Sequence, residues 1–542
     1  MVETKRDKRA PIPHLRREEA TQLIVDGRPY LILGGELHNS SSSSLAYMEP
    51  IWERLVGLHL NTVLAVVAWE LVELEEGVFD FALVDGLIEG ARRHGLRLVP
   101  LWFGTWKNGM SSYAPSWVKR DYRRFPRVQV EGGQPVEILS AFAPATQEAD
   151  ARAFAAFMRH LYQVDGDQHT AIMVQVQNEV GVLGDSRDRS AVANAAFAAD
   201  VPPALMQQLA EAGDELDEGL RQRWQQNGGR DSGSWEEVFG QSVETDEVFM
   251  AWHYARYIDA VAAAGRAEYP LPMFANAWLS SLDSTPAGWA SGGQKPGEWP
   301  SGGPLPQTLD IWRAGAPNID FLSPDIYQPN FQDWCRAYTR RGNPLFIPEM
   351  RRGQDGARLV FYALGQHDAL GVSPFAIDDV EPGPDEPLQR SYAVLRQLAD
   401  EILAHQGTDA MIGFLLDEET PALVQPLGGY ELVIERDQGF GQAAERGCGL
   451  IIATGPDQFL GAGFGFRVGF KGLSPGPLLA GLAAVDEGQF KDGQWLSGRR
   501  LNGDETGRGH WWRFRDFGRV REGTLAASMG TGISRCSVYR YE

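Results

Sequence analysis

The sequence predicts an α/β fold, a (β/α)8 TIM barrel, followed by a smaller all-β, sandwich-like domain. From Tyr30 to about Ala376, short apolar strands alternate with amphipathic helical stretches, a pattern typical of βα units around a parallel sheet. From Met411 onward, alternating segments are separated by pairs such as Asp492-Gly493, which favours antiparallel strands. A chain of 542 residues is also too long for one ordinary domain.

Eight candidate strands indicate a barrel rather than an open sheet. Each is a short run of apolar residues bounded by turn or helix signals. The predicted strands are Tyr30–Leu37, Thr62–Ala68, Leu96–Phe103, Ala171–Gln177, Met273–Ala277, Asp320–Ser323, Leu345–Ile347 and Val372–Ile377. Helices are predicted where apolar residues recur at i, i+3 and i+4, most clearly at Ile51–His59, Ala151–Leu161, Val201–Gln225, Thr245–Ala264, Ala357–Ala369 and Pro387–His405.

The predicted division is an N-terminal extension over 1–20, the barrel over 21–408 and an accessory β-domain over 409–542. Two insertions, Met110–Phe142 and Leu279–Pro306, follow carboxyl ends of strands. Active sites of TIM barrels lie at that face, so the insertions are expected either to wall a substrate cleft or to be surface excursions. The clearest strands of the β-domain are Tyr430–Glu435, Phe464–Gly469, Trp511–Asp516 and Ile533–Tyr541.

Composition narrows the choice of partner and compartment. The net charge of −22 disfavours nucleic acid and anionic membranes, and no apolar run reaches membrane-spanning length. Met1–Ala10 lacks an apolar signal segment, so the expectation is a cytoplasmic protein as the chain is written, or a periplasmic or secreted one if a signal peptide was trimmed. Cys335, Cys448 and Cys536 show no disulfide or zinc spacing. No cofactor is predicted, and a homo-oligomer is left open.

Two stretches each deliver one glutamate after an apolar run. Glu179 follows the fourth predicted strand and Glu349 follows the seventh, so both side chains can converge on the mouth of the barrel. Cleavage of a glycoside by double displacement needs two carboxyl groups about 5–5.5 Å apart, one as proton donor and one as nucleophile. The sequence therefore predicts catalytic roles for Glu179 and Glu349. The alternative is a solvated loop glutamate or a loop ion pair.

Residues after the other strands are predicted to bind substrate. Asn178 can bond a sugar hydroxyl without titrating, and Tyr327 can donate to the nucleophile carboxylate. Arg351 and Arg352 are expected to keep that carboxylate ionised. The further predicted substrate-binding residues are Glu36, Trp69, Glu70, Trp102, Trp106, Lys107, Asn108, Asn276 and Asp325. The alternative for each is ordinary packing or solvation.

A metal site is the competing interpretation of the first strand, where Glu36 and His38 share one face. The other histidines form no complementary H-x-H or H-E-x-x-H pattern. Hydrogen bonding of Glu36 to sugar hydroxyls is therefore preferred, and no metal is predicted.

Four segments together resemble glycoside hydrolase family 35 β-galactosidases, within the larger group of barrel glycosidases that carry glutamates on strands four and seven. They are Leu33–His38, Asn61–Phe81, Val174–Gly181 and Pro344–Met350. The resemblance covers roughly residues 20–400. It implies a retaining mechanism with Glu179 as acid/base, Glu349 as nucleophile and Asn178 as a ligand of a sugar hydroxyl.

The chain also departs from the family 35 pattern. Asn39 replaces a tyrosine, Gln177 a glutamate and Val180 a tyrosine. The expectation is a retaining, exo-acting β-galactosidase that acts on terminal residues of an oligo- or polysaccharide. A β-glucosidase or arabinosidase on the same scaffold, or a non-catalytic carbohydrate-binding barrel, remains the alternative.

Overall fold

Eight parallel strands form the central sheet of the computed structural model, which describes residues 11–281, 292–439, 442–515 and 530–542. In chain order they are β1 Ile32–Glu36, β2 Thr62–Ala68, β3 Arg97–Phe103, β4 Val174–Val176, β5 Met273–Trp278, β6 Phe321–Asp325, β7 Phe346–Met350 and β8 Gly371–Pro374. Strands β1 to β6 pair in succession, β8 pairs with both β1 and β7, and a parallel bridge between Ile326 and Met350 joins β6 to β7. The predicted barrel is confirmed.

Some sequence predictions fall on residues outside those ranges. These are Met1–Ala10, the part of the second insertion over 282–291, and Asp516 at the end of one predicted strand. The remaining predictions can be compared with the structure directly.

The bottom of the barrel is closed by an N-terminal three-stranded antiparallel sheet, whose strands are His14–Arg17, Thr21–Val25 and Arg28–Pro29. Leu23 and Val25 of this sheet join the barrel-interior cluster with Phe274, Phe321 and Phe346. Burying these large apolar side chains fills the amino end of the barrel. The opposite, carboxyl end is therefore the one that carries polar side chains.

Helices cover the outside of the barrel, and their bounds differ modestly from the prediction. Predicted helix Val201–Gln225 is two helices, because Gly213 adopts φ 53° between them. The α-helices are Leu45–Gly57, Trp69–Val72, Ala82–Arg93, Ser116–Arg120, Pro144–Asp165, Ala191–Ala198, Pro203–Ala212, Glu218–Gln226, Trp235–Phe239, Val243–Glu268, Leu309–Gly315, Phe331–Tyr338, Gly353–His367 and Pro387–His405. In the described part of the chain, none of the helices is both long and apolar enough to cross a membrane.

Two antiparallel sheets follow the barrel. The six-stranded sheet contains, in spatial order, Met411–Leu416, Gly447–Gly455, Gln458–Phe464, Ile533–Tyr541, Leu479–Lys491 and Gln494–Leu501. The four-stranded sheet contains Ala422–Leu427, Tyr430–Arg436, Phe466–Gly472 and Trp512–Phe514. Phe414 and Phe459 of the first sheet share a core with Leu432, Phe466 and Trp512 of the second. The predicted all-β domain is confirmed, while its boundary at residues 408 and 409 stays a prediction.

The barrel and the β-domain each contain one short pair of antiparallel strands outside the main sheets, among the described residues. Arg127–Gln129 pairs with Pro135–Leu139 inside the first insertion, and Gln438–Gly439 pairs with Gln442–Ala443 in the β-domain.

The barrel and the β-domain meet through a close backbone contact. Helix Gly353–His367 packs on strands Met411–Leu416 and Gly447–Gly455. A Cβ atom on Gly365 would lie 2.9 Å from the Cα of Gly413 and 3.0 Å from the Cβ of Leu450. Glycine is therefore needed at position 365 for the helix to approach the sheet this closely.

Candidate active site

A strained turn carries the first predicted glutamate out of the sheet. Strand β4 ends at Val176, earlier than predicted, because Gln177 and Glu179 have φ values of 64° and 46°. Residues other than glycine rarely adopt this region, so surrounding contacts must hold them there. The backbone N–H of Glu179 donates to Asn276 Oδ1 at 3.1 Å, and the side chain of Gln177 accepts from the N–H of Trp106 at 2.9 Å.

Glu349 lies inside strand β7 rather than after it, and donors surround its carboxyl group. The Tyr327 hydroxyl donates to Oε2 at 2.9 Å, and the Asn178 amide donates to Oε1 at 3.2 Å. The Lys107 amine lies 3.8 Å from Oε1. Hydrogen bonds and a cation directed at a carboxyl group favour its ionised form. Two hydrogen-bond donors thus fix the orientation of the Glu349 carboxyl group.

Glu179 has the opposite environment. It is 6% exposed, and within the described part of the chain its carboxyl group has no cation as close as the Lys107 amine beside Glu349. Burial raises the pKa of Glu179 to about 7, and the Glu349 carboxylate adds to this effect, while Lys107 opposes it. One oxygen each of Glu179, Asp325 and Glu349 lies within 4.8 Å of the others. Burial and a neighbouring carboxyl group thus set Glu179 apart as an acid whose pKa is raised.

Glu36 and Lys107 are two further buried titratable residues near Glu349. Glu36 is fully buried, and neither of its carboxyl oxygens has a hydrogen-bond partner among the described residues. Burial raises the pKa of Glu36 well above its usual value, and Glu349 raises it further. Burial lowers the pKa of Lys107, but the carboxyl groups around it outweigh that effect and raise it overall. Lys107 is therefore the ammonium that balances these acids.

Among the described residues, the group of carboxyl side chains that could hold a metal ion consists of Glu179, Asp325 and Glu349. The competing metal interpretation of Glu36 and His38 has no such support, because the His38 ring contacts Asp378 at 3.2 Å and Asp379 at 3.5 Å. The Lys107 amine already supplies a cation next to Glu349. We therefore assign no metal to this cluster.

Three of the predicted substrate-binding residues lie in the protein core. Trp69, Trp102 and Trp106 are fully buried. Their indole N–H groups donate to Glu73 Oε2, Asp150 Oδ1 and the carbonyl oxygen of Leu139 respectively. Substrate binding by these three residues stays a prediction.

Some of the remaining predicted site residues lie in the carboxyl cluster and others do not. Asn276 and Asp325 join the cluster, with Asn276 Nδ2 donating to Asp325 Oδ2 at 2.6 Å. Asn108 lies in the turn beside Glu179, and its side-chain oxygen accepts no hydrogen bond from the described chain. Glu70 instead forms an ion pair with Lys119 at 3.3 Å.

The two arginines after β7 donate to backbone carbonyl groups. Arg351 donates to the backbone carbonyl of Tyr327, and Arg352 donates to that of Ala376. The cation near Glu349 is Lys107, which the sequence interpretation placed among the hydroxyl-binding residues.

A buried network behind the site was missed from sequence. Asp150, on helix Pro144–Asp165, accepts from Trp102, Thr105 and Gln177 at distances of 2.6–2.9 Å. It fixes the side chain of Gln177 and so supports the turn that carries Glu179. The available signal was a charged residue among the mainly apolar buried positions of this helix.

Asp150→Ala is expected to lower the free energy of unfolding by about 3 kcal/mol, because several buried donors lose their acceptor at once. Denaturant titration followed by tryptophan fluorescence measures the effect. Asp385→Ala is the control, since Asp385 is 98% exposed at its side chain and its replacement should change stability little. Equal stability of the Asp150 variant and wild type would contradict the support assigned to this network.

Parts of the chain are similar in sequence to known protein families. Residues 46–242 match the model of glycoside hydrolase family 42, described as Beta-galactosidase. Residues 388–513 match a Domain of unknown function (DUF5597). The beta-galactosidase of Xanthomonas manihotis is 30% identical over 174 residues, which are 31% of this chain and 26% of that protein. The match thus spans about a quarter of the length of this curated relative.

Solved structures show partial likeness. The beta-galactosidase from Bacillus circulans sp. alkalophilus is 16% identical, with a TM-score of 0.44 over 69% of this chain and 57% of that one. The catalytic domain of beta-amylase from Paenibacillus polymyxa is 14% identical, with a TM-score of 0.44 over 65% of this chain and 95% of that one.

The barrel carries paired carboxyl groups at its carboxyl end, and part of it is similar to glycoside hydrolases. More particularly, residues 46–242 of the barrel are similar to family 42 β-galactosidases. The sequence resemblance to family 35 is wrong, because the matching family model is that of family 42. The motifs behind the resemblance are short and lie at the ends of barrel strands, where the wider group of barrel glycosidases places similar residues.

Proposed function

We propose that the protein is a retaining, exo-acting β-galactosidase that hydrolyses terminal β-D-galactosyl residues of an oligo- or polysaccharide. Glu179 is the acid/base and Glu349 is the nucleophile. The activity rests on this chain's own carboxyl groups, and galactose as the preferred sugar rests on the partial match to family 42 β-galactosidases.

One observation carries the proposal. Carboxyl oxygens of Glu179 and Glu349 come within 4.8 Å of each other at the carboxyl end of the barrel. Retaining glycosidases hold their carboxyl groups about 5–5.5 Å apart, whereas inverting ones need about 6.5–9.5 Å to admit a water molecule. The short separation supports direct attack by a carboxylate on the anomeric carbon.

The two environments assign the two roles. Glu349, surrounded by the donors Tyr327, Asn178 and Lys107, attacks the anomeric carbon to form a glycosyl ester. Glu179, which burial keeps protonated up to about neutral pH, gives its proton to the departing oxygen and later takes one from water. Glu36, whose oxygens are unpartnered, is available to accept hydrogen bonds from sugar hydroxyls.

Exo action is supported by the enclosure of the site. Glu179 and Glu349 are only 6% and 4% exposed, which suits a pocket for one terminal sugar better than an open groove that admits a long chain.

Two measurements test the proposal. Proton NMR of the first product should show the β-anomer of galactose before mutarotation, and the α-anomer would refute retention. Initial rates on nitrophenyl β-galactoside, β-glucoside and α-arabinoside should rank galactoside first. A higher kcat/KM on either other sugar would replace galactosidase by glucosidase or arabinosidase on the same scaffold. Binding without turnover of all three would favour a non-catalytic carbohydrate-binding barrel.

The pH dependence follows from the acid role. Because Glu179 must be protonated to act as acid, and its pKa is raised to about 7, kcat/KM should fall above about pH 7, by about tenfold per pH unit. Rates on an unactivated galactoside from pH 5 to 9 measure this limb. The limb should be absent in Glu179→Gln, whose side chain does not titrate.

Glu247→Gln is the matched control for the pH profile. Burial raises the pKa of Glu247 to about 6, and its side chain accepts hydrogen bonds from Trp299 and Gln307 outside the carboxyl cluster. Its replacement should leave the basic limb in place. If the basic limb disappeared in Glu247→Gln and persisted in Glu179→Gln, the titrating group would be Glu247, and its assignment to Glu179 would be refuted.

A further inference from the structure

The carboxyl end of β6 supplies one side chain to each glutamate. The Tyr327 hydroxyl donates to Glu349 at 2.9 Å. One carboxyl oxygen of Asp325, two residues earlier, lies within 4.8 Å of a carboxyl oxygen of Glu179. Asp325 is 1% exposed, and its carboxyl group lies among those of Glu179 and Glu349. A role toward Glu179 fits this position.

Asn276 fixes both members of the Asp325–Glu179 pair. Its Nδ2 donates to Asp325 Oδ2 at 2.6 Å, and its Oδ1 accepts from the backbone N–H of Glu179 at 3.1 Å. The other oxygen of Asp325, Oδ1, accepts no hydrogen bond from a described residue. A buried carboxylate with one oxygen unsatisfied is costly, whereas a protonated carboxyl group can use its hydroxyl as a donor.

The charges around Asp325 also favour a proton on it. The titratable groups that face it are the carboxyl groups of Glu36, Glu179 and Glu349, the Lys107 amine, and the hydroxyls of Tyr327 and Tyr338. Burial raises the pKa of Asp325 well above its usual value, and Glu349 and Glu179 raise it further. Four buried carboxyl groups that share one ammonium cannot all be ionised.

We propose that Asp325 is a positioning residue that keeps its proton and donates a hydrogen bond to the carboxylate that Glu179 becomes after it protonates the leaving group. This inference rests on the proposed function. As the bond from the anomeric carbon to the leaving oxygen breaks, a bond to Glu349 forms, and the proton of Glu179 moves to that oxygen. Negative charge thus passes from Glu349 to Glu179, and Asp325 provides a donor where the charge arrives.

Two substitutions separate a neutral donor from a charged neighbour. Asp325→Asn keeps a neutral side chain that can accept from Asn276 and donate to Glu179, so kcat/KM should stay within about threefold of wild type. The basic limb of its pH profile should not move. Asp325→Ala removes the donor, so kcat/KM should fall by about 10- to 100-fold and the basic limb should rise by about one pH unit.

The opposite shift would overturn the proposal. If Asp325 were ionised, removing its charge would lower the pKa of Glu179, and the basic limb would move down in both variants. Asp259→Asn is the matched control, because Asp259 is buried but bonds Asn318 outside the cluster. A purely structural role would lower the melting temperature of both Asp325 variants without moving the limb, which would also overturn the proposal.

An infrared measurement tests the proton directly and does not need an assay. At pH 8, the difference spectrum between wild type and Asp325→Asn should contain the carbonyl stretch of a protonated carboxyl group. If this band is absent, Asp325 carries no proton and the proposal is refuted, whether or not the protein hydrolyses glycosides. Its presence in a protein that hydrolyses none of the test glycosides would support the Asp325–Glu179 pair and refute the proposed function alone.

Discussion

Glu349→Ala is expected to lower kcat on nitrophenyl β-galactoside by about 10⁵-fold, the order of loss seen when a covalent nucleophile is removed and the other groups stay in place. An oxygen atom of the Glu349 carboxylate forms the new bond to the anomeric carbon. Tyr327 and Asn178 both contact this carboxylate, and neither can replace it as nucleophile. Turnover near the wild-type level would refute the nucleophile assignment.

Azide converts this loss into a positive signal. The cavity left by the shortened side chain admits a small anion, which can attack the anomeric carbon from the same face and give α-galactosyl azide, of inverted configuration. Product NMR identifies the anomer. Glu247→Ala, the truncation of another buried glutamate, serves as control and should neither lose activity to this extent nor yield a glycosyl azide.

The strand pattern was predictable because barrel strands are buried on both faces. β2 reads Thr-Val-Leu-Ala-Val-Val-Ala and is buried along its whole length, so a continuous apolar run is enough to identify it. The ends of the strands were less predictable. β4 ends before Gln177 because side chains from distant elements hold a left-handed turn there, and no local pattern announces such contacts.

The burial of Trp102 follows from the alternation of side chains along β3. In β3, Leu101 and Phe103 point into the barrel, whereas Trp102 between them packs with Phe154 and Phe157 of a covering helix. Alternate residues of a strand point to opposite faces, but when both faces are apolar the sequence does not tell which one is interior. Position at a strand end therefore predicted nearness to the site but not exposure to it.

The carboxyl residues were more predictable than their partners. Glu179 and Glu349 each follow an apolar run, and that feature placed them at the same end of the barrel. The pairing of Lys107 with Glu349, and of Asn276 with Asp325, depends on the order of strands around the barrel and on side-chain conformers. Such pairings arise only when the sheet closes, so the sequence could name these residues without stating what each contacts.

Glu179→Gln is expected to slow hydrolysis of an unactivated galactoside by about 10²–10⁴-fold, the usual contribution of general acid catalysis. A glutamine side chain cannot supply the proton that a poor leaving group requires. With a dinitrophenyl leaving group, which departs without protonation, formation of the glycosyl ester should be nearly unaffected. Rates across aryl galactosides of graded leaving-group pKa therefore measure the role, and equal losses on all of them would count against it.

The second half of the reaction gives the sharper distinction between the two glutamates. After Glu179→Ala, water attack on the ester lacks a base, so ester accumulates and a burst of phenol should precede slow turnover. Azide needs no base and should speed this step to give β-galactosyl azide, of retained configuration. Glu349→Ala with azide should give the α-anomer. If both variants yielded the same anomer, the assignment of acid/base to Glu179 and nucleophile to Glu349 would fail, because only residues acting in successive displacements give opposite products.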